Sequence, residues 1–448
     1  MSTLRRVAIV GGVRTPFCRS GTLYADLSNL DMMGTALQGL VDRFDLKGAH
    51  VDEVVGGAVV SHSKDWNLAR EAVLRTTLAP STPGVTMTQA CGTSLQAALG
   101  IAAKIATGQI ESGIAAGSDT TSDPPIVFTK KFAHRLALLT KQKTTMAKLR
   151  VFKGFLPGEL APQPPATAEP QTGLGMGQHC ELMAKTWNVS RAEQDQLAFE
   201  SHRKAARAYA DGFLDDLLVP CAGVFKDNNL RGDIQLEKLS ELKTAFDKSD
   251  AGTLTAANST PLTDGAGAVL LCSEDWAKAR GLKVQAYLAH GQHIGNDFVA
   301  GEGLLMAPTI AVARLLKRTG LTFADFQFFE IHEAFAAQVL ATLKAWEDDA
   351  YCRERLGWDG PLGSVDRTKM NVNGSSIAFG HPFAATGARI LGGLSKLLDV
   401  NGGGRGLISV CTAGGMGVAA ILEGADGDLA CIHRRDPQSG SSAGHPHL

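Results

Sequence analysis

The sequence lacks the cysteine and histidine spacings of metal sites and of disulfide-rich scaffolds. None of its eight cysteines forms a Cys-x-x-Cys pair, and its 12 histidines show no metal-ligand spacing. A bound metal and a disulfide framework are therefore not expected. No uncharged run reaches membrane-spanning length, and the apolar run near the amino terminus is too short for a signal peptide. We expect a cytoplasmic protein without a transmembrane segment.

The chain also lacks an excess of either charge. Its 44 Lys and Arg against 45 Asp and Glu give a net charge of −1, which provides no general attraction to nucleic acid. The 50 glycines are scattered without a period, which excludes collagen-like repeats and indicates many tight turns. A chain of 448 residues is too long for one simple core, so two or three packed units are expected.

Apolar runs alternate with amphipathic stretches in both halves of the chain. In the first half they predict strands at 7–10, 51–60, 85–90 and 114–116, and helices at 31–44 and 92–106. In the second half they predict strands at 269–272, 326–331, 406–410 and 418–422, and helices at 308–318, 334–346 and 384–398. This alternation predicts α/β layers.

The stretch between the two halves differs in composition. It contains a proline-rich run at 156–173 and a helix predicted at 190–209, with Ser190 and Glu193 placed as a capping box. We expect an amino-terminal core domain formed by 1–122 with 259–276, an inserted loop domain at 123–258, a carboxy-terminal core domain at 277–424 and a disordered tail at 425–448. The two halves echo each other weakly, because a small-residue helix and then a strand follow both Cys91 and His381.

Cys91 is the first candidate for chemistry. In TMTQACGTSLQAALG it stands between a predicted strand and a predicted helix. The N–H groups and dipole of a helix start favour the reactive thiolate, and Gly92 allows a ligand to approach closely. A buried structural cysteine is the alternative interpretation of this local pattern.

Three further segments carry candidate groups. His381, in NVNGSSIAFGHPFAATGARI, precedes a predicted helix and has the chemistry of a base that activates a thiol. Cys411, in SVCTAGGMG, enters a glycine loop whose N–H groups suit an oxyanion. His332, in EIHEAFAAQ, lies between a strand and a helix. Taken alone, each is also compatible with a turn or a satisfied core residue.

At these segments the chain resembles the thiolase family. The nucleophile segment, the Asn-x-Asn-Gly-Ser…Gly-His-Pro segment and the Cys-x-x-Gly-Gly-x-Gly loop occur in order, and the resemblance extends from Val7 to about Glu423. It implies the thiolase fold, five layers α-β-α-β-α from two similar core domains with an inserted loop domain. It also implies acyl transfer between CoA and a 3-ketoacyl-CoA in fatty-acid metabolism.

The resemblance assigns roles to four side chains. Cys91 holds the acyl group, His381 takes its proton, and Cys411 protonates or deprotonates the acetyl-CoA fragment. One oxyanion hole combines His381 with a water held by a polar side chain at His332, and the other uses the N–H groups of Cys91 and Ala413. Most thiolases have Asn where this chain has His332, and His resembles the branch of fatty-acid-oxidation complex β subunits.

The resemblance also implies the binding contacts and the partners. CoA and acetyl-CoA are substrates, and no permanently bound cofactor or metal is expected. The expected CoA and substrate contacts are Ser259, Arg231, Met176, Met306 and Phe335. The family implies a homodimer or homotetramer, and its complex-forming members indicate a possible hydratase/dehydrogenase partner.

Residues 130–153 carry eight positive charges and no acidic residue. A solvated loop is one interpretation of this run. Attraction of the CoA 3′-phosphate, or contact with a partner or a membrane surface, are the others.

Two rival functions share the fold. A decarboxylating ketosynthase pairs its cysteine with two histidines but lacks the second cysteine, so Cys411 argues against it. A thiolase-like lipid carrier without turnover does not need the set of Cys91, His381 and Cys411, which is present here.

Overall fold

The computed structural model describes residues 4–425. Residues 426–448, nearly all of the segment expected to be a disordered tail, lie outside the described residues. The strands are β1 (Val7–Arg14), β2 (Cys18–Arg19), β3 (Glu53–Gly57), β4 (Gly84–Thr86), β5 (Ser112–Asp119), β6 (Thr263–Ser273), β7 (Ala286–Gly295), β8 (Phe328–Ile331), β9 (Arg405–Thr412) and β10 (Met416–Gly424).

The helices in the first part of the chain are α1 (Asn29–Arg43), α2 (Leu68–Val73), α3 (Thr93–Ala106), α4 (Lys130–Leu139), α5 (Thr145–Val151), α6 (Met176–Thr186), α7 (Arg191–Ala210) and α8 (Leu236–Ser240). They are followed by α9 (Glu274–Ala279), α10 (Ala307–Thr319), α11 (Ala336–Glu347), α12 (Asp349–Glu354), α13 (Ser376–Phe379) and α14 (Thr386–Val400). The capping box predicted at the start of α7 is confirmed, because the Ser190 hydroxyl accepts from the Glu193 N–H and the Glu193 carboxylate accepts from the Ser190 N–H.

The strands form two halves that repeat the same pattern. In the first half β5 pairs parallel with β3 and antiparallel with β6, and β6 pairs antiparallel with β1. In the second half β9 pairs parallel with β8 and antiparallel with β10, and β10 pairs antiparallel with β7. The repetition indicated by the sequence is therefore present in the strand topology. A short antiparallel contact of β1 with β7 joins the halves into one run of strands.

Alternate side chains of each half face different cores. In β10, Val418, Ala420 and Leu422 pack in a core shared with α3 and α14, while Ala419 and Ile421 pack in a core shared with α10 and α11. In β5, Ala115 joins the core around α3 and α14, whereas its neighbours join the core around α1. The helices α3 and α14 therefore lie between the two halves, and the predicted five-layered α-β-α-β-α order is confirmed.

Glycines bring the two central helices close together. A Cβ at Gly387 of α14 would lie 2.4 Å from the backbone nitrogen of Leu95 in α3. The Ser94 hydroxyl also accepts from the Ala388 N–H at 2.7 Å. This contact places the start of the Cys91 helix against the start of the helix that follows His381.

Several predicted boundaries were wrong. The strand predicted at 51–60 ends at Gly57, because the N–H groups of Val59 and Val60 donate to the Asp119 carboxylate instead of to a neighbouring strand. The strand predicted at 85–90 is only Gly84–Thr86. The helix predicted at 384–398 begins at Thr386, after a 3₁₀ turn over Phe383–Ala385.

The segment between the two halves is helical and loop-rich, with α4 to α8 and a 3₁₀ turn at Pro157–Leu160. Helices α6 and α7 share the apolar core of α10 and α11, whereas no residue of α4 or α5 is buried. The expected domain boundaries at 122, 258 and 276 stay predictions.

Candidate active site

Cys91 lies in a tight turn immediately before α3. Ala90 has a φ of +45°, and the Thr93 hydroxyl closes the turn by donating to the Ala90 carbonyl at 2.7 Å. A Cβ at Gly92 would lie 2.8 Å from the side chains of Thr412 and Val418. The turn that carries Cys91 therefore lies against the end of β9, which contains Cys411.

Burial has the largest effect on the pKa of the Cys91 thiol. It raises the pKa of Cys91 to about 12, although the N–H groups of Ala413 and of Cys91 itself donate to the sulfur and oppose the rise. Backbone N–H groups thus favour the thiolate in the expected direction, but desolvation outweighs them. The Ala413 N–H nevertheless faces the sulfur, as the glycine loop was predicted to allow.

Cys411 ends β9 and is 1% exposed. Burial raises its pKa well above the usual range, and the proximity of Cys91 and Cys180 raises it further. Two thiols from different halves of the chain thus lie close together, and burial favours the uncharged form of both.

His381 lies on the loop between α13 and α14. Its N–H donates to the Thr263 hydroxyl at 2.7 Å, and its Nδ1 lies 2.6 Å from the Thr386 hydroxyl. Its Nε2 is buried and meets no hydrogen-bonding partner within residues 4–425. Burial, with a contribution from the Arg389 charge, lowers the pKa of His381 to about 3, so the imidazole is neutral and has a free basic nitrogen.

His332 follows β8 and stacks beside His381. The two ring centroids are 4.2 Å apart, and the His332 N–H donates to the Ser409 carbonyl at 2.8 Å. Its Nδ1 lies 2.9 Å from the Ser376 hydroxyl, and its buried Nε2 also has no partner among the described residues. Burial and the nearby His381 and Arg389 lower the pKa of His332 well below its usual range.

Two buried carboxyl groups support these loops, and the sequence analysis missed both. Glu333 accepts from the Ser201 hydroxyl and from the Asn371 side-chain amide, which ties the His332 loop to α7 and to the segment before α13. Asp119, with a pKa raised to about 7 by burial, accepts from the Ala384 N–H at 2.8 Å. In the sequence, an Asp at the end of an apolar run was the signal that could have indicated Asp119.

The expected binding residues divide into two groups. The backbone of Ser259 forms an isolated β-bridge with Phe335, and that of Leu262 forms one with His381. The buried Ser259 hydroxyl has no hydrogen-bonding partner within the described chain. Met306 lies in the same apolar core as Phe335, and Met176 packs against it. Arg231 stands apart in the inserted segment, where its N–H donates to His202 Nδ1.

Within residues 4–425, no group of three or more His, Cys, Asp or Glu side chains could hold a metal ion. No helix in that range is long and apolar enough to cross a membrane. The arrangement is thus one of two thiols, two neutral imidazoles and backbone donors, which suits acyl transfer through a thioester.

Comparisons with known proteins agree with this chemistry. Residues 7–275 match the family model of the thiolase N-terminal domain, and residues 282–424 match that of the thiolase C-terminal domain. A 3-ketoacyl-CoA thiolase of Shewanella baltica (strain OS185) is 44% identical over 93% of this chain and 97% of its own length. A second, from Shewanella sp. (strain W3-18-1), is 43% identical with the same coverage.

Solved structures show the same fold. The Bacillus anthracis acetyl-CoA acetyltransferase superposes with a TM-score of 0.78 and 29% identity, covering 95% of this chain and all of that one. Human mitochondrial 3-ketoacyl-CoA thiolase gives a TM-score of 0.77 and 27% identity with the same coverage. The fold and the paired thiols define an acyltransferase. The chain belongs to the thiolase family.

Proposed function

We propose that this thiolase cleaves 3-ketoacyl-CoA substrates with free CoA, and runs the reverse condensation of acetyl-CoA when mass action favours it. The observation that carries the proposal is that Cys91, Cys411 and the Ala413 N–H lie together. The segments of two adjacent imidazoles meet them, because the His332 N–H bonds to Ser409 in β9 and Asp119, whose charge acts on Cys91, binds the Ala384 N–H beside His381. The names of the Shewanella and human relatives support the substrate class.

His381 starts the reaction. With its Nδ1–H donated to Thr386, its Nε2 takes the Cys91 proton while the sulfur attacks the 3-keto carbon. The C2–C3 bond breaks, its electron pair goes to the acetyl-CoA fragment as an enolate, and the acyl group stays on Cys91. The N–H groups of Cys91 and Ala413 stabilise the oxyanion formed at the attacked carbon.

Cys411 completes the first half of the reaction. Its thiol proton goes to C2 of the enolate, and acetyl-CoA leaves. Free CoA then gives its thiol proton to the Cys411 thiolate and attacks the acyl-Cys91 thioester. The shortened acyl-CoA leaves, and the Cys91 thiolate takes its proton back from His381. His332 and His381 face the thioester oxygen of the acetyl-CoA fragment. A neutral Cys411 with a raised pKa holds its proton until the enolate forms.

The activity is tested by the absorbance of the Mg²⁺–enolate of acetoacetyl-CoA. We expect this band to decay only when enzyme and CoA are both present. A band that persists with acetoacetyl-CoA and with longer 3-ketoacyl-CoA substrates would exclude thiolysis. Values of kcat/KM along a chain-length series then define the preferred substrate.

The division of labour between the two thiols is tested by Cys411→Ala. Acylation of Cys91 by an activated acyl donor should persist, because it needs no enolate protonation. Thiolysis and the condensation of acetyl-CoA should fall about 10²-fold or more, as expected for loss of a general acid. Equal loss of both steps would show that Cys411 has a structural role.

For the binding contacts, we propose that Ser259, Met176, Met306 and Phe335 line the acyl and pantetheine channel. The buried, unpartnered Ser259 hydroxyl beside Phe335 supports this assignment. Arg231 is proposed to contact the CoA phosphates, on the family resemblance alone.

We also propose a cytoplasmic homodimer or homotetramer that can associate with a hydratase/dehydrogenase. The seven cysteines among the described residues are all free thiols, which suits a reducing compartment. Light scattering of the purified protein gives the number of subunits.

A further inference from the structure

A chain of polar contacts runs from Arg389 through Ser376 to His332. The Arg389 Nη2 donates to the Ser376 hydroxyl oxygen at 2.8 Å, and the same oxygen lies 2.9 Å from His332 Nδ1. All three residues are buried. The other ring nitrogen of His332, Nε2, is buried and without a partner in the described chain.

Hydrogen-bond accounting along this chain determines the His332 tautomer. A guanidinium group only donates, so Ser376 accepts from Arg389 and retains one hydroxyl hydrogen to donate. The described contact that can accept this hydrogen is His332 Nδ1. The opposite tautomer would place a second donor on the Ser376 oxygen and leave its buried hydrogen without an acceptor, which costs about 1–3 kcal/mol. The ring proton therefore lies on Nε2.

We propose that Ser376 and Arg389 are positioning residues that hold His332 as the Nε2–H tautomer, so that it donates a hydrogen bond to the oxygen of the reacting acetyl-CoA fragment, directly or through water. This rests on the proposed thiolase function. It explains how two adjacent imidazoles act differently, since His381 presents a lone pair at Nε2 and His332 presents a proton. An amide N–H at this position, as in most thiolases, performs the same donation.

Arg389 contributes to the same effect through its charge. His332 faces His381 and Arg389, and the charge of Arg389 disfavours an imidazolium at His332. Two acidic groups pair with other residues: Glu330 is 4.0 Å from Arg389, and Glu333 bonds to Ser201 and Asn371. His332 therefore stays a neutral donor across the working pH range, because burial and the adjacent cation act in the same direction.

The test compares neighbouring serines. Ser376→Ala should lower kcat about tenfold or more with little change in KM, because a histidine without its orienting partner loses the required tautomer. Ser376→Thr keeps the hydroxyl and should restore most of the activity. Ser375→Ala is the matched control: its hydroxyl also accepts from Arg389, at 3.2 Å, but does not contact His332. It should leave kcat within about twofold, in line with the loss of one ordinary hydrogen bond away from the reacting atoms.

Measuring Ser376→Ala in the His332→Asn variant distinguishes a positioning role of Ser376 from a packing role. In His332→Asn the donor is an amide that has no tautomer, so adding Ser376→Ala should cost nothing further. An equal loss of kcat in both backgrounds would overturn the proposal and show that Ser376 only packs.

A readout independent of activity distinguishes this proposal from the proposed function. Two-bond ¹H–¹⁵N correlation spectra of ¹⁵N-histidine-labelled enzyme, assigned with His332→Asn, should show His332 protonated at Nε2 and Ser376→Ala should show both tautomers. A wild-type His332 protonated at Nδ1 would overturn the proposal even if thiolysis is normal. A wild-type enzyme with the Nε2–H tautomer but no thiolysis would instead refute the proposed function.

Discussion

Burial favours the uncharged form of both the proposed nucleophile and its proposed base. The pKa of Cys91 is raised to about 12 and that of His381 is lowered to about 3, in each case mainly because burial disfavours the charged form. Both shifts disfavour a standing thiolate–imidazolium pair, so in the proposed reaction the proton moves as the sulfur forms its bond to the substrate. In the proposed reaction, enolate and oxyanion charges then develop among preoriented donors.

The state of the Cys91 thiol is tested by alkylation of the free enzyme. Because only the thiolate reacts, labelling of Cys91 by iodoacetamide should rise about tenfold per pH unit from pH 7 to pH 10. Peptide mass spectrometry follows Cys91 separately from the other cysteines. A rate that levels off below pH 8 would mean that a thiolate exists at rest.

Sequence reasoning named the candidate reacting groups but not the residues that support them. Cys91, His381, Cys411 and His332 stand in recognisable local patterns. The α3–α14 contact brings the Cys91 and His381 segments together, and the pairing of β8 with β9 does so for His332 and Cys411. Thr386, which meets the His381 Nδ1, and the Ser376–Arg389 pair carry no local signal of their own. Their roles depend on side-chain directions that only the folded chain defines.

At the scale of elements, β5 and the turn Phe383–Ala385 position His381. A Cβ at Gly117 of β5 would lie 2.0 Å from the Ala384 carbonyl oxygen, so only glycine lets the turn approach this closely. The turn is joined to the site, because the Phe383 N–H donates to the His381 carbonyl. The strand thereby positions the loop that carries His381.

Gly117→Ala should displace this turn without touching substrate. We expect kcat to fall about 10²-fold, as for a displacement of about 1 Å at a reacting group, and the free energy of unfolding to fall by about 1–3 kcal/mol from overpacking.

The control for this substitution is Gly100→Ala in α3, where an added Cβ meets nothing within 4 Å. It should stabilise the fold by about 0.5–1 kcal/mol through helix propensity and leave kcat unchanged. Chemical denaturation and steady-state kinetics measure both variants. Unchanged kinetics in Gly117→Ala would contradict the positioning role of β5.

Elements were predicted well where their own residues determine them. Apolar runs gave β1, β9 and β10, and the capping box gave the start of α7. Errors occurred where a distant group ends an element, as when Asp119 takes the Val59 and Val60 N–H groups beyond β3. Strand β7 was missed because its sequence AYLAHGQHIG has only a short apolar run.

At the scale of the whole molecule, the segment 130–153 stands outside the packed layers. It forms α4 and α5. Besides its eight cationic side chains, it exposes apolar side chains such as Met146 and Leu149. The rest of the chain carries 36 Lys and Arg against 45 Asp and Glu, after subtracting these eight from 44, so positive charge is concentrated here. The Arg135 side chain in α4 donates hydrogen bonds to the Glu159 carboxylate and to the Val151 carbonyl at the end of α5.

Replacing 130–153 with a short Gly-Ser linker should leave the melting temperature unchanged within about 2 °C, because surface changes away from buried groups cost little. The KM for CoA distinguishes the interpretations of the basic run. An unchanged KM supports a solvated or partner-facing surface, and a rise reversed by salt supports attraction of the CoA phosphates. A large loss of thermal stability would show that the segment 130–153 belongs to the core.

The central claim is that Cys91 carries the acyl group while the second thiol serves the other fragment. Peptide mass spectrometry after mixing the enzyme with acetoacetyl-CoA in the absence of free CoA tests it most directly. We predict one acetyl group on Cys91 in the wild-type enzyme and none at that position in Cys91→Ser. An acyl group on Cys411 or on any other residue, with Cys91 unmodified, would contradict the account.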